Sequence, residues 1–510
     1  MTELTNRDIS KLINNYNNDS KNTLLQNIVT SSLPSTITVN DTNIKKYNNT
    51  YSHTINTIHK VSNQYMSGRC WMFSSLNLLR SAIINKYGLS PDFEFSESYL
   101  YFWDIFEKAN YFLTEIIKTK KKDLHDDKVY NLLSEPIQDG GYWGSFVNLV
   151  NKYGLIPKSV CRETLHTFYT EELISILSNK LRQYAVLIRT DRNPEKIKQR
   201  ALSDVFNVLK ISLGISVTNN TLFSWDYTIT DAFAISKNNN EYDSDDINSD
   251  SDTEDDQPIK KMKISDMLTP EIKDMMINNI VLMYDNLQKD KRFKNRKVST
   301  LKRTISTVTP ITFLKKHVKF NSNEYVNIIN DPRERYEYNK NYYILPFIVG
   351  ASPVKLYNLP IDKLKEYARI SIVKGYSVWF SCDVQKYMYT NEINNIHTLD
   401  DSLYDMDKIF NIEYINITKA EKLDFHISKS VHAMILTGVN IDGNKTTDWK
   451  IENSWGKEFG YKGMLNMSDS FFEKYVYEVV IQRRFIDEYD LKLYDKLKPI
   501  YHDDWDAVAL

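Results

Sequence analysis

Near residue 300 the hydrophobic pattern of this chain changes period. Before it, apolar residues recur at three- and four-residue steps, the spacing of one helix face. After it they come in short alternating or continuous runs, the spacing of strands. Phe73, Leu76, Leu79 and Ile83 predict a helix from Cys70 to about Lys86, and similar patterns predict helices over Ser96 to Lys118 and Gly144 to Tyr153. The runs SVWFSCDV (377–384), HAMILTGV (432–439), DWKIEN (448–453) and YVYEVVIQRR (475–484) predict strands. A helical half followed by a β-rich half implies an α+β class. At 510 residues the chain exceeds what one core serves, so two or more lobes are expected.

Bulk charge narrows the function classes. The formal net charge is -1, which gives no global electrostatic case for nucleic acid or an anionic membrane. The opening MTELTNRDIS lacks the order of a signal peptide, and no apolar run is long enough to span a bilayer. The three cysteines, Cys70, Cys161 and Cys382, are too few for a disulfide scaffold and fit a reducing compartment. No metal or organic cofactor is expected, because the His and Cys residues lack the close paired spacings of a zinc site. No internal repeat is visible. Residues 1–60 read as a polar arm with one helical patch near Leu12 to Ile28, and 165–300 as mostly amphipathic helix. Within the latter, KNNNEYDSDDINSDSDTEDDQ (237–257) cannot bury apolar surface and is expected to be disordered. Ser249, Ser251 and Thr253 sit among its acids, and the basic PIKKMK (258–263) follows.

Two regions carry chemistry. Cys70 follows the turn-forming Ser67-Gly68-Arg69 and opens a helix, where unpaired N–H groups favour a thiolate and can hold an oxyanion. Gln64 could add a side-chain donor to that hole. Cys161 and Cys382 read as ordinary loop and strand residues. In the second region, His432 begins a strand, Asp442-Gly443 marks a turn, and a second strand returns to Asn453-Ser-Trp455-Gly456. A hairpin centred between 442 and 443 sets 432 opposite 453. The Asn oxygen then accepts the Nδ1–H of the imidazole and turns its other nitrogen to the thiol, with Trp455 covering the bond. His426 is the nearest competitor, but it lacks the strand and the returning Asn.

The blocks Gln64-Tyr-Met-Ser-Gly-Arg-Cys70-Trp71-Met-Phe73, His432-Ala and Asn453-Ser-Trp-Gly456 resemble the signatures of papain-type cysteine peptidases, and more closely the bleomycin hydrolase and bacterial aminopeptidase C group. FEFSESYLYFWD (93–104), DGGYWGSFVNLVNKYGLIPK (139–158), NIINDPRERYEYNK (327–340) and LYNLPIDKLK (356–365) extend the likeness over most of residues 60–484. The resemblance implies a papain-like two-lobed fold with a large helical insertion and N- and C-terminal arms. The expected divisions are an arm (1–60), a helical lobe with the nucleophile (61–165), an insertion holding the acidic loop 237–263 (166–300), a β-rich lobe with His432 and Asn453 (301–485), and an arm entering the cleft (486–510). It also implies a cytoplasmic homohexamer acting on peptides with a free N-terminus, and a cleft in which Gly140 and Gly141 pair with an extended substrate.

In that group the terminal carboxylate, here that of Leu510, meets the substrate's amino group. Trp505-Asp506 resembles the start of the family tail, but the tail is about two residues short, roughly 7 Å of extended chain. Release of dipeptides or some endopeptidase action is therefore also open. Two other classes stay open: a ring-shaped scaffold or nucleic-acid binder with a vestigial site, to which clusters such as KRFKNRKVSTLK (291–302) would contribute, and a thiol acyltransferase using the same triad.

Overall fold

The computed structural model describes residues 3–47, 49–57, 59–229, 301–391, 393–413 and 415–502. The acidic stretch 237–257, its basic flank and the tail residues Trp505, Asp506 and Leu510 lie outside the described residues.

The amino-terminal segment forms two helices, α1 (Asn6–Asn18) and α2 (Ser20–Val29), that bury no side chain. The chain then reaches the body, where the two-residue strand β1 (His53–Thr54) pairs with the strand that begins at His432. Helix α3 (Cys70–Tyr87) ends at Gly88, whose left-handed φ of +62° stops the helix without a Cβ penalty. Helix α4 (Glu97–Lys118) starts at Ser96, whose Oγ accepts the Tyr99 N–H at 3.1 Å. Helix α5 (Trp143–Tyr153) packs on both α3 and α4. Helices α6 (Glu171–Thr190) and α7 (Pro194–Leu213) lay an apolar stripe, Leu173, Leu177, Leu181, Val205 and Leu209, against α4. The helical reading of 165–300 is corrected at 223–229, which form the strand β2 (Phe223–Ile229), paired antiparallel with β3 (Leu301–Val308) just beyond that segment.

The second half supplies β4 (Tyr325–Ile329), β5 (Lys340–Ile344), β6 (Val354–Asn358), α8 (Ile361–Val373), β7 (Val378–Cys382), β8 (Met388–Asn391), β9 (Ile396–Leu399), β10 (His432–Asp442), β11 (Lys445–Glu452), β12 (Met464–Ser468), β13 (Val476–Gln482) and β14 (Ile500–Tyr501). With β1 they form one twelve-stranded sheet, in the order β14-β5-β6-β4-β13-β7-β10-β11-β12-β9-β8, β1 lying on β10.

Alternation along the central strands decides which face of the sheet packs on the helices. Phe380, Met434 and Val479 face one way, into the core of the β-rich lobe. Their neighbours Trp379, Ala433 and Val480 face the other way, into the core shared with α3, α4 and α5. Trp71, Met72 and Leu76 of α3 are fully buried in that shared core. Each such side chain contributes about 1.5–3 kcal/mol, so the first turn of α3 is held against the sheet.

Candidate active site

Cys70 is the first residue of α3 and is only partly buried, while Trp71 behind it is completely buried. The backbone N–H groups of Ala433 and Trp71 lower the pKa of the Cys70 thiol. Ala433 follows His432, so the helix that presents the thiol and the strand that presents the imidazole meet at this point.

The His432 imidazole is buried, and its Nε2 lies 2.9 Å from Asn453 Oδ1. This corrects the expected nitrogen: Asn453 meets Nε2 rather than Nδ1. The same Asn453 oxygen accepts the Ser454 N–H at 2.8 Å. The Trp455 ring stands 4.8 Å from the imidazole, centroid to centroid. The hairpin register also differs from the expected one. Ile435 pairs with Glu452 and Asp442 with Lys445, so the turn is Gly443-Asn444 rather than Asp442-Gly443. Irregularities at Asn440/Ile441 and Leu436/Gly438 shift it by one residue and back again, and Asn453 reaches His432 from just beyond the end of β11. His426 is exposed, at φ +55°, and is not part of this cluster.

Gln64 is tied to the returning strand. Its Oε1 accepts the Ser454 hydroxyl at 2.6 Å, its backbone N–H donates to Ser454 O at 2.8 Å, and its Nε2 donates to Ser67 O at 2.7 Å. An amide nitrogen carries two N–H groups, so one remains for an oxyanion. The expected role of the two glycines divides. A Cβ on Gly141 would lie 2.5 Å from the Trp71 indole, whereas one on Gly140 would meet nothing within 4 Å. Gly141 is therefore required by packing, and Gly140 leaves open space.

Three residues escaped the sequence reading. Arg69, fully buried, pairs with Glu163 at 2.9 Å and donates to Thr167 O at 2.6 Å, anchoring the turn before Cys70. Lys108, also buried, pairs with Asp104 at 2.6 Å and donates to the carbonyls of Gln138 and Gly140. Asp139 accepts the Gly68 N–H at 2.7 Å. In the sequence, two are unremarkable helix and turn charges, and Asp139 reads as one more turn residue beside two glycines.

The N–H groups at the start of α3 act in the expected direction on the Cys70 thiol, but burial outweighs them and the N–H of Ala433 and pushes it up to about 11, while Asp139 adds to the rise. Burial likewise pushes His432 down to about 4, although the Asn453 bond raises it. Burial thus drives each group, taken alone, towards its neutral form. Cys161 and Cys382 are buried, and burial also raises their thiols. Among the described residues no group of three or more His, Cys, Asp or Glu could hold a metal ion.

The model of the peptidase C1-like family matches residues 3–303 and 254–509. Bleomycin hydrolase of Homo sapiens is 30% identical over 523 residues, covering 99% of this chain and 98% of that protein. Aminopeptidase C of Lactococcus lactis subsp. cremoris is 32% identical over 456 residues, covering 88% of this chain and 86% of that protein. The crystal structure of PepW from Lactobacillus rhamnosis aligns with a TM-score of 0.79 at 31% identity, covering 99% of this chain and 98% of that one.

Proposed function

The chain belongs to the peptidase C1-like family, and from that premise we propose a cysteine aminopeptidase in which Cys70 is the nucleophile, His432 the base and Asn453 the residue that orients it. The supporting observation is that one short stretch of β10 serves both partners. The N–H of Ala433 favours the Cys70 thiolate while the adjacent His432 is held through Nε2 by Asn453 at 2.9 Å.

In the proposed reaction the Cys70 proton moves to His432, and the thiolate attacks the carbonyl carbon after the first residue of a peptide with a free amino terminus. The oxyanion takes the Cys70 backbone N–H and the second N–H of Gln64. The imidazolium then gives its proton to the departing amine, leaving a thioester. Water, deprotonated by His432, attacks the thioester; the acid departs and the thiol is restored. Trp455 excludes water from the His432–Asn453 bond, and Gly140 lets an extended substrate backbone approach.

The assignment extends to a cytoplasmic hexamer with the C-terminal arm as the limit to exopeptidase cleavage. In support, α1 and α2 bury nothing and expose Leu12, Ile13, Tyr16 and Leu24, a face that a neighbouring subunit would cover. Among the described residues no helix is long and apolar enough to cross a membrane.

The deciding experiment compares a fluorogenic amino-acid amide bearing a free amine with an N-acetylated dipeptide amide, using wild type and Cys70→Ala. Cleavage of the free-amine substrate alone, abolished in the variant, is expected. Cleavage of the blocked substrate would overturn the exopeptidase mode, and turnover insensitive to Cys70→Ala would overturn the nucleophile. Sedimentation velocity tests the hexamer.

A further inference from the structure

Asp139 lies between the cleft glycines and the nucleophile turn, and three donors converge on its carboxylate. The Gly68 N–H reaches Oδ2 at 2.7 Å, the Tyr101 hydroxyl reaches Oδ1 at 3.1 Å, and the Thr170 hydroxyl also donates to Oδ2. The contact is close enough to dictate sequence. A Cβ on Gly68 would stand 2.9 Å from Asp139 backbone and side-chain atoms. The backbone of Asp139 is fixed too, because Lys108 Nζ donates to the carbonyls on both sides of it, Gln138 at 2.9 Å and Gly140 at 2.6 Å.

Resting on the reading that Cys70 is the nucleophile, we propose that Asp139 is its positioning residue: the carboxylate fixes the Ser67–Arg69 turn that delivers the Cys70 sulfur and backbone N–H, and its charge sets how readily the thiol ionises. An amide could hold the same turn. Its oxygen would accept the Gly68 N–H and its nitrogen would donate to the Tyr101 hydroxyl. What the carboxylate adds is a negative charge beside a sulfur that must itself become negative. That charge holds Cys70 protonated until the imidazole takes the proton, which restrains a thiol that would otherwise react with any electrophile.

The other groups around the sulfur are His432 on β10, Cys382 on β7 and, behind Asp139, Tyr101, Asp104 and Lys108 of α4 with the Arg69–Glu163 pair. Within this set, Asp139 is the carboxylate whose charge acts on the Cys70 thiol, and it raises it.

The test uses the full chain as wild type, Asp139→Asn and Asp139→Ala, with Cys70→Ala as blank. Two readouts are taken across pH: initial rates on the free-amine amide, and the rate of iodoacetamide alkylation at Cys70, followed by mass spectrometry. Asp139→Asn is expected to move the alkylation midpoint to lower pH by about 0.5–1 unit. Asp139→Ala is expected to lower kcat about 10- to 100-fold with little change in KM, and Asp139→Asn to recover most of that loss. An unmoved or raised midpoint in Asp139→Asn would overturn the electrostatic role. Equal kcat in both variants, or in Asp139→Ala and wild type, would overturn the positioning role. If wild type hydrolyses nothing, the peptidase reading fails, and the alkylation profiles still decide whether Asp139 governs the thiol.

Discussion

Removal of the Asn453 side chain should cost both stability and rate, and the two can be separated. Asn453 is buried, and its Oδ1 accepts two bonds: His432 Nε2 at 2.9 Å and Ser454 N at 2.8 Å. In Asn453→Ala both donors remain buried without an acceptor. At about 1–3 kcal/mol for each, the loss is about 2–6 kcal/mol, offset in part because the variant also removes Asn453 Nδ2, a buried donor with no hydrogen-bond partner among the described residues. That is a large fraction of the ~5–15 kcal/mol that holds a domain together. The rate term comes from the imidazolium, whose N–H to Asn453 is a charge-assisted bond of about 1.5–3 kcal/mol, equivalent to about 10- to 150-fold in kcat. Asn453→Asp keeps an oxygen acceptor for both donors and adds a charge that favours imidazolium. It should therefore shift the pH–rate profile upward, and melt below wild type wherever His432 is neutral, because the new carboxylate is then buried without a countercharge. Thermal melts and kcat/KM across pH on the three proteins supply the answer. Wild-type melting and a kcat within twofold in Asn453→Ala would refute the reasoning, because neither cost would then be real.

Gly141→Ala should destabilise by about 1–3 kcal/mol through the Trp71 contact, while Gly140→Ala melts like wild type; differential scanning calorimetry compares them. Arg69→Met should cost about 3–5 kcal/mol by taking the guanidinium from the buried Glu163 carboxylate, and Arg69→Met with Glu163→Met should recover most of it; urea unfolding measures both. His432 and Glu478 give opposite pH dependences. Burial lowers His432 to about 4, so between about pH 6.5 and 4 the unfolded chain binds a proton that the native state excludes, and stability falls as pH falls through that window, by up to about 3 kcal/mol. Burial raises Glu478 to about 8, so the native state holds a proton that the unfolded chain releases above about pH 4.5, and stability falls as pH rises towards 8. Glu478→Gln should therefore gain stability over wild type at pH 8 but not at pH 4.5, as read from denaturant midpoints.

What was legible in the chain follows from the range of each interaction. The α3 helix could be read because its signal is local: Phe73, Leu76, Leu79 and Ile83 repeat at helical steps, and all but Leu79, which is nearly so, are buried to within a few per cent. The strands of the β10–β11 hairpin could be read for the same reason, since β10 opens on one continuous apolar run and Trp449 and Ile451 alternate with polar residues in β11. Its register could not, because Asp442-Gly443 and Gly443-Asn444 are both acceptable turns, and choosing between them needs the partner strands. The choice of imidazole nitrogen was lost with the register. Pairings between distant segments left no local trace: β14 joins β5 through Ile500–Tyr342, and α3 presses on strands more than three hundred residues away. The ionic supports were hidden because a buried Lys108 or Arg69 is spelled like an exposed one. Only the three-dimensional fold shows which charges have lost their water.

The same loss of water explains how the site must work. A lone thiolate or a lone imidazolium at this depth would bear its full desolvation cost, and burial pushes both Cys70 and His432 towards neutrality. A proton that moves between them creates opposite charges side by side, so each desolvation cost is offset by the attraction of the other. The surrounding groups then set the balance: Ala433 and Trp71 N–H groups favour sulfur anion, Asn453 favours imidazolium, and Asp139 opposes the anion. In the proposed reaction the substrate carbonyl then gives the thiolate an electrophile. It follows that variants at Asn453 and Asp139 should act on the same equilibrium from its two ends, so Asn453→Asp combined with Asp139→Asn should shift the alkylation midpoint further down than Asp139→Asn alone. A midpoint for the double variant no lower than for Asp139→Asn would show that the thiol and the imidazole ionise independently.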